Sequence, residues 1–599
     1  MWHRCGRAVA VALALFASAG LAQEMAVWSC EWGSPGWNPL LPGPKSWGTT
    51  LMYPSLFVYS NLQERWIPYL AEGYRWVDKL TLEVTLRPEA RWWDGKPITA
   101  DDVVFTWELA KRHLTPWTPV WAYLNEVRAV DMRTVQFVAK AEPLNYFALL
   151  MAIGGGDGFS IVPKHRWEAL ERKHGTRLAI DFRDDVPRDI IGGGPYKLAW
   201  WEPDFWVYER VDDWWGKDLF GLPGPPKIAH RVFKDNPAAN LAFEQLQLEA
   251  MGHFTPAVWE LWKVKGLPIR TYYPESPYYI GGGVILLYIN FARPPLNNPA
   301  VRRAIAHAVP FSDLIDIAYF GYSIQAHPSG IIHTTPAAVY IDEALAKKYG
   351  YYFDLGKAAR ILDEAGIVDR DGDGIREMPD GTRLGPFYIE VPYGWTDWMM
   401  MCEMIAENLR KIGLDVTPRF PDFVIWEANV HTGRFDLIIR WSAGPGFSHP
   451  WNVFYVLMDP RLTGPVGEAF PAGNWHRYMN WEVVPILDAI PGEADPVKVA
   501  HYYRTLQTIA YEDVVGVPLF YGAVWYIFAE HRWTGWPKAE YPERWTTLQF
   551  AGDWQQNTLP TIFGLVPKGE DPGASPYYKH WLPLTFPTSK IWDDLARVK

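Results

Sequence analysis

Residues 80–108 read LTLEVTLRPEARWWDGKPITADDVVFTWE, and the two halves of this stretch carry different periods. Leu80, Leu82, Val84 and Leu86 alternate with polar residues, which predicts a half-buried strand, because side chains on a strand point alternately to its two faces. Asp94-Gly95 marks a turn. Thr99 is placed as a helix N-cap, with Asp101 and Asp102 in the first turn, where the helix dipole favours anions, and basic residues at the far end. Val103, Trp107 and Ala110 recur on one helical face. The three acids are read as turn and cap residues. Trp92 and Trp93 are neighbours in extended chain, so their rings point to opposite faces and at most one can meet a ligand.

Working outward, strand-like and helix-like segments continue to alternate. AVWSCEWGSPGWNPL (26–40) is a short strand followed by a Gly/Pro/Trp loop. VILLYINF (284–291) is a buried-strand candidate, and AVRRAIAHAV (300–309) a helix with Val301, Ile305 and Ala308 inward. LGKAARILDEAG stops at Gly366, MCEMIAENLRKIGLDVTPRF reads as helix, Gly413 stop and strand, and FDLIIRW (435–441) is another buried strand. Mixed units of this kind indicate an α/β class. There is no repeat of fixed period. The last forty residues read as an irregular appendage.

The chain has 599 residues, about three times an ordinary domain, so at least two lobes are expected. A net charge of -11 argues against a nucleic-acid partner, which calls for a basic face. The 34 Trp and 31 Tyr exceed what core filling normally uses. Residues 1–22, MWHRCGRAVAVALALFASAGLA, have Arg4 and Arg7 before an apolar run and end in small residues, as a cleavable signal peptide does. Gln23 stands where a lipoprotein needs Cys, so a soluble, exported, periplasmic or extracytoplasmic protein is expected. Cys30 and Cys402 are expected to be unpaired buried thiols.

A series of collinear motifs resembles the family 5 extracellular solute-binding proteins of ABC importers, which bind oligopeptides, nickel complexes or oligosaccharides. The strongest is LAEGYRWVDKLTLEVTLRPEARWWDGKPITADDVVFTWE. IVPKHRWE, IGGGPYKL, ERVDDWWG, YINFARPPLNNPAVRRAIAHAV, FDLGKAARILDEAG, IAENLRKIGLDV and GRFDLIIRW follow in order, and the similarity runs on to about Trp554. The resemblance implies an α/β, two-lobed periplasmic-binding-protein fold, large and type II-like with an extra subdomain, around a central ligand cleft. Lobe I would comprise residues 23–285 with the subdomain inserted near 62–190. Lobe II would take 286–520, and residues 521–599 would return to lobe I and end in the tail. A membrane-embedded ABC permease is the implied partner, and the protein is expected to be a monomer.

Peptide-binding members look similar up to FDLIIRW and then carry an Asp-containing run that supplies a carboxylate for the peptide amine. Here SAGPGFSHPWNVF (442–454) follows, with no acid before Asp459. YIFAEHRWTGWPKAEYP (526–542) instead resembles a Trp-Thr-x-Trp-Pro segment of the oligosaccharide binders. An uncharged oligosaccharide is therefore the expected ligand, with oligopeptide the alternative. Sugars offer C–H-rich faces and hydroxyls, which suit an aromatic-lined pocket with few polar groups. Trp37, Trp47, Trp395, Trp398, Trp441 and Trp525 are the candidate platforms, and Asn38, Asp397 and Ser442 the candidate polar contacts. Each tryptophan also has a core reading.

DRDGDGIREMPD (369–380) places Asp369, Asp371 and Asp373 at positions 1, 3 and 5 of a calcium-loop pattern, Gly374 at 6 and Asp380 at 12, where the pattern prefers Glu. Calcium as a structural ion is one reading and an acidic turn held by Asx turns the other; no cofactor is required. Metalloprotease, nucleophile-elbow, phosphate-loop and Cys-x-x-Cys motifs are absent. His449, His476 and His501 are scattered and read as structural or surface residues. A secreted glycosidase, with acids such as Asp94, Asp397 and Asp553 beside tryptophans, is the remote alternative; no enzymatic activity is expected.

Overall fold

The computed structural model describes residues 25–29, 36–41, 48–60, 65–113, 115, 117–140, 142, 160–333, 335–442, 450–493, 495–544 and 558–598. Residues 1–22, Cys30, Trp47, His449 and Asp553 lie outside the described residues.

The opening stretch folds as a strand, Thr81–Leu86, a turn, and a helix, Ala100–Arg112. The strand is covered on both faces. Leu82, Val84 and Leu86 enter the core, and on the other face buried Glu83 pairs with Arg75 at 2.6 Å. Asp102 accepts from the Thr99 and Lys164 backbone amides at 2.9 and 2.8 Å, tying the helix start to the next helix, Lys164–His174. Trp92 donates to the same carboxylate, and Trp93 donates to the Gly194 carbonyl at 3.0 Å. Asp94 caps its own turn at the Lys96 amide and meets His165 at 2.9 Å. The corner is structural throughout. Its strand belongs to a four-stranded antiparallel sheet of residues 71–139.

Lobe I is built on a seven-stranded mixed sheet in the order Ile269–Thr271, Ile527–Ala529, Ala250–Met251, Met25–Ser29, Lys227–Arg231, Phe205–Arg210, Tyr196–Glu202. Met25–Ser29 runs parallel to both of its neighbours. Ala26 and Trp28 point into one core and Val27 into another, the alternation a two-sided strand requires. Lobe II has a five-stranded sheet in the order Val416–Arg419, Phe387–Glu390, Leu437–Trp441, Ile280–Ile289, Val517–Val524. Its helices are locally specified. Asn298 and Asp354 cap Pro299–Ala308 and Leu355–Glu364, and Gly366 and Gly413 take the left-handed conformation just past helix ends.

The chain passes between the sheets twice, in residues 272–279 and 525–526. The first strand of lobe II begins at Ile280 and its last ends at Val524, so the sheet of lobe II extends a few residues beyond 286–520 at both ends. The tail is no irregular appendage. Phe586–Pro587 pairs with Arg65–Pro68, the helix Thr588–Ala596 follows, and the Trp76 indole donates to Ile591 carbonyl at 3.0 Å. Trp581 is buried against Phe220 and Phe563. Aromatic burial outweighs the lack of periodicity there.

Among the described residues no helix is long and apolar enough to cross a membrane. Cys402 is buried and unpaired.

Candidate functional site

In open α/β sheets, ligands bind beyond the carboxyl ends of the parallel strands, where loops rather than strands meet. In lobe II the parallel strands Phe387–Glu390 and Leu437–Trp441 open into residues 391–395 and into Ser442. In lobe I, Met25–Ser29, Lys227–Arg231 and Ala250–Met251 open into residues 232–236 and 252–255. These two sets of loops meet. The Asn236 side chain donates to Thr396 Oγ1 at 3.2 Å and its backbone amide to the Gly394 carbonyl at 3.1 Å. Gly394 has φ 90°, and a Cβ there would lie 2.4 Å from the Lys234 carbonyl, so this approach of the lobes needs glycine. Tyr123, just before the strand Leu124–Ala129, makes a second bridge, edge-on to Trp451 of lobe II at 5.3 Å.

Trp395, Trp398 and Trp441 converge on the lobe II side. Trp395 stacks on Trp441 with centroids 6.0 Å apart and planes 30° from parallel, and stands edge-on to Trp398 at 5.0 Å. Trp395 and Trp441 are half-buried, while Trp398 is buried. Two rings that the sequence reading missed back this wall: Trp426, fully buried, and Phe423, 5.8 Å from Trp395. They lie on the helix Phe423–Thr432, whose apolar residues show no clear face. Arg440 braces the wall from behind. Its guanidinium lies 4.6 Å from the Trp441 ring and 4.4 Å from Trp475, and it is bidentate to Glu427 at 2.6 and 3.1 Å. Burial alone would push the Glu427 carboxyl up, yet Arg440 and His431 hold it well below the usual carboxylate range.

Asp397 sits in the first turn of the helix Thr396–Lys411, 4% exposed. Burial pushes its carboxyl up to about 7, against the pull of the Asp397 and Trp398 backbone amides. The folded protein therefore takes up this proton near pH 7, whereas the unfolded chain does so near 3.8, and this group's contribution to stability falls as pH rises through that window. Asp397→Asn is expected to be more stable than the parent at pH 8 by on the order of 2–4 kcal/mol, with the difference closing near pH 4. Denaturant midpoints at both pH values check this; an equal gap at both would remove Asp397 as the cause. Ser442, also buried, donates its backbone amide to the Val284 carbonyl at 2.8 Å at the strand end.

Trp525 stands in the second crossing segment. It packs with Tyr279 of the first crossing at 4.9 Å, Phe254 of lobe I at 5.5 Å and Tyr319 of lobe II at 5.1 Å. It is therefore placed at the junction of both lobes, apart from the Trp395–Trp441 pair. Nearby, Ser29 Oγ and His253 Nε2 are 2.7 Å apart, and burial lowers the imidazole to about 3, so His253 is neutral.

Trp37 and Asn38 are placed inside lobe I. Trp37 is fully buried, its indole donates to Tyr208 hydroxyl at 2.6 Å, and it packs on Trp201 and Trp206. Asn38 is buried, donates to the Leu178 and Phe182 carbonyls at 2.7 Å each and accepts from Leu40. Both hold lobe I together and are fully buried. The Trp-Thr-Gly-Trp-Pro segment also turns inward: Trp536 is fully buried and stacks on Phe528 at 5.6 Å. His476 is a core residue and His501 an exposed one.

The acidic loop brings Asp369, Asp371 and Asp373 together with Glu377, carboxylate oxygens within 4.8 Å of one another. Asp380, the expected position 12, is instead engaged in the next turn, accepting from Thr382 at 2.9 Å. Glu377 comes inward because its backbone bridges Val368 and Arg383. Asx bonds from Asp369 to Gly372 and Gly374, and the Asp373–Arg383 pair, hold the loop.

The model for bacterial extracellular solute-binding proteins, family 5, matches residues 65–463. The chain is 32% identical to a periplasmic oligopeptide-binding protein of an ABC transporter from Thermotoga maritima, solved with mannohexaose bound, with a TM-score of 0.81 over 92% of this chain and 99% of that one. It is 28% identical to the dipeptide-binding protein of Escherichia coli (strain K12), over 83% of this chain and 89% of that protein. With the nickel-binding periplasmic protein of the same organism it shares 24% identity, over 81% and 86% of the two chains. With paired sheets, two crossings and facing strand ends in place, the chain belongs to the family 5 extracellular solute-binding proteins, the ligand-capturing components of ABC importers.

Proposed function

We propose that the protein captures an uncharged oligosaccharide between its lobes and delivers it to a membrane-embedded ABC permease. The observation that carries this reading is the stacked pair Trp395 and Trp441, half-buried at adjoining strand ends. Indole faces suit the C–H-rich faces of sugar rings, and polar side chains nearby can meet hydroxyls. The mannohexaose bound to the Thermotoga maritima relative supports the same ligand class. Capture stabilises the closed arrangement of the lobes, residues 272–279 and 525–526 absorb the movement, and the permease favours the open form for release. The role is capture without chemistry, by an exported monomer.

An oligopeptide is the second reading, favoured by Asp397. This carboxylate stands beside Trp395 and Trp398 and offers a charge for an amino group, and the Escherichia coli relative is named for dipeptides. Calorimetry with mannohexaose, cellohexaose and xylohexaose against a tetrapeptide separates the two. Heat of binding with a hexasaccharide, and none with the peptide, is expected. Peptide binding with no response to any of the three sugars would overturn the proposal. Sugars recovered shortened would make the protein a glycosidase.

A further inference from the structure

Trp481 is the most exposed tryptophan among the described residues, at 59%. It lines a groove of about 800 Å³ with Phe291, Val466, Tyr478, Met479 and Glu482, within the size range of small-ligand sites. Phe291 follows the strand Ile280–Ile289, and Ile289 pairs with Leu437. The groove thus sits by the amino end of the strand whose carboxyl end carries Trp441. Four strand steps, roughly 13 Å, separate the two ends, before side chains are counted.

The groove wall is held in place rather than left loose. The Tyr478 hydroxyl donates to Asp513 at 2.5 Å, the Asn480 amide donates to that hydroxyl at 3.0 Å, and Asn480 Oδ1 accepts from the Glu482 amide at 2.9 Å. The backbone on either side of Trp481 is fixed before any ligand arrives, so little ordering is lost on binding. The charge left open in the groove is acidic, from Glu482 and Asp513. Arg477 turns inward and donates to the His431 and Glu468 carbonyls. Asp513 lies in the field of Arg302, whose guanidinium covers the inner side of Phe291 at 4.0 Å. What remains is an exposed indole with a thioether and a carboxylate beside it, and no exposed cation among the lining residues. An anion finds no partner there. A neutral ring with hydroxyls at its edge finds both a face to stack on and acceptors in Glu482 and Asp513.

We infer that this groove is a second, weaker binding platform for an uncharged sugar, centred on Trp481 and independent of the cleft. Its assignment stands on the groove's own residues, whichever ligand the cleft takes. The test uses the full protein carrying 5-fluorotryptophan, with the Trp481 fluorine signal identified by its loss in Trp481→Phe. Mannohexaose is titrated into the parent and into the Trp395→Ala/Trp441→Ala variant, with choline as a cationic control. A saturable shift of the Trp481 signal, with a midpoint on the order of 1 mM, is expected in both proteins. A shift that vanishes with the cleft variant would make the signal a report of lobe closure and overturn the inference. So would a response to choline alone, or no response at all. Because the cleft and the groove are read by different signals, failure at one is distinguishable from failure at the other.

Discussion

Arg440→Ala is expected to cost about 3–5 kcal/mol of stability, the range for removing one partner of a buried ion pair. The Arg440 side chain is 3% exposed and Glu427 13%. Both Nη atoms are spent on Glu427, and the guanidinium lies against Trp426, Trp441 and Trp475. Removing it leaves a carboxylate among indoles, and desolvation then acts on Glu427 unopposed by that cation. The sign of the pH dependence follows. In the parent, Glu427 is held below its unfolded value, so its contribution is present above pH 4.5 and is lost as pH falls further. The variant lacks that contribution, and the gap between parent and variant should narrow in acid. Replacing the pair together, Arg440→Met with Glu427→Leu, should recover much of the loss, since well-packed apolar pairs often match buried ion pairs. In a chain of two lobes, unfolding midpoints are safer than a single fitted free energy. A midpoint for Arg440→Ala indistinguishable from the parent would show that the pair contributes nothing.

Trp395→Ala and Trp441→Ala are each expected to weaken oligosaccharide binding about tenfold or more, and the double variant by more than either alone but less than the product of the two, the scale for losing central aromatic anchors. The rings are 6.0 Å apart and share one wall, so the two losses are not expected to add exclusively as independent terms. Asp397→Asn sharpens the result. If the ligand is a sugar, that change alters affinity by less than about threefold, as for one hydrogen bond to a neutral group. If it is a peptide amine, the change removes a buried counter-charge and costs about thirtyfold or more. Calorimetry on the three variants reads both outcomes. Unchanged sugar affinity in the double variant would remove the indole wall from the binding site.

Local features were legible in the chain itself. The strand, turn and helix of residues 80–108 follow from a period of two, a turn dipeptide and a cap. The stops at Gly366 and Gly413 follow from a conformation other residues resist. The tail was misread because Trp581 and the helix Thr588–Ala596 take their order from partners near residues 66–76 and 220, and no local period records that. In the acidic loop, position 12 was assigned by counting, while backbone bridges chose Glu377.

Class, order of elements and family were thus set by the sequence alone, because hydrophobic period, caps and motif order act between neighbours along the chain. Which tryptophans are buried and which stay half-exposed was decided by tertiary structure. Trp37 follows a strand and Trp441 ends one, and the two look alike in sequence. Tyr208, 171 residues away, draws Trp37 into the core of lobe I, whereas Trp441 ends a strand at the line where two lobes meet. Burial depends on which distant surfaces arrive, and that is a property of the folded chain.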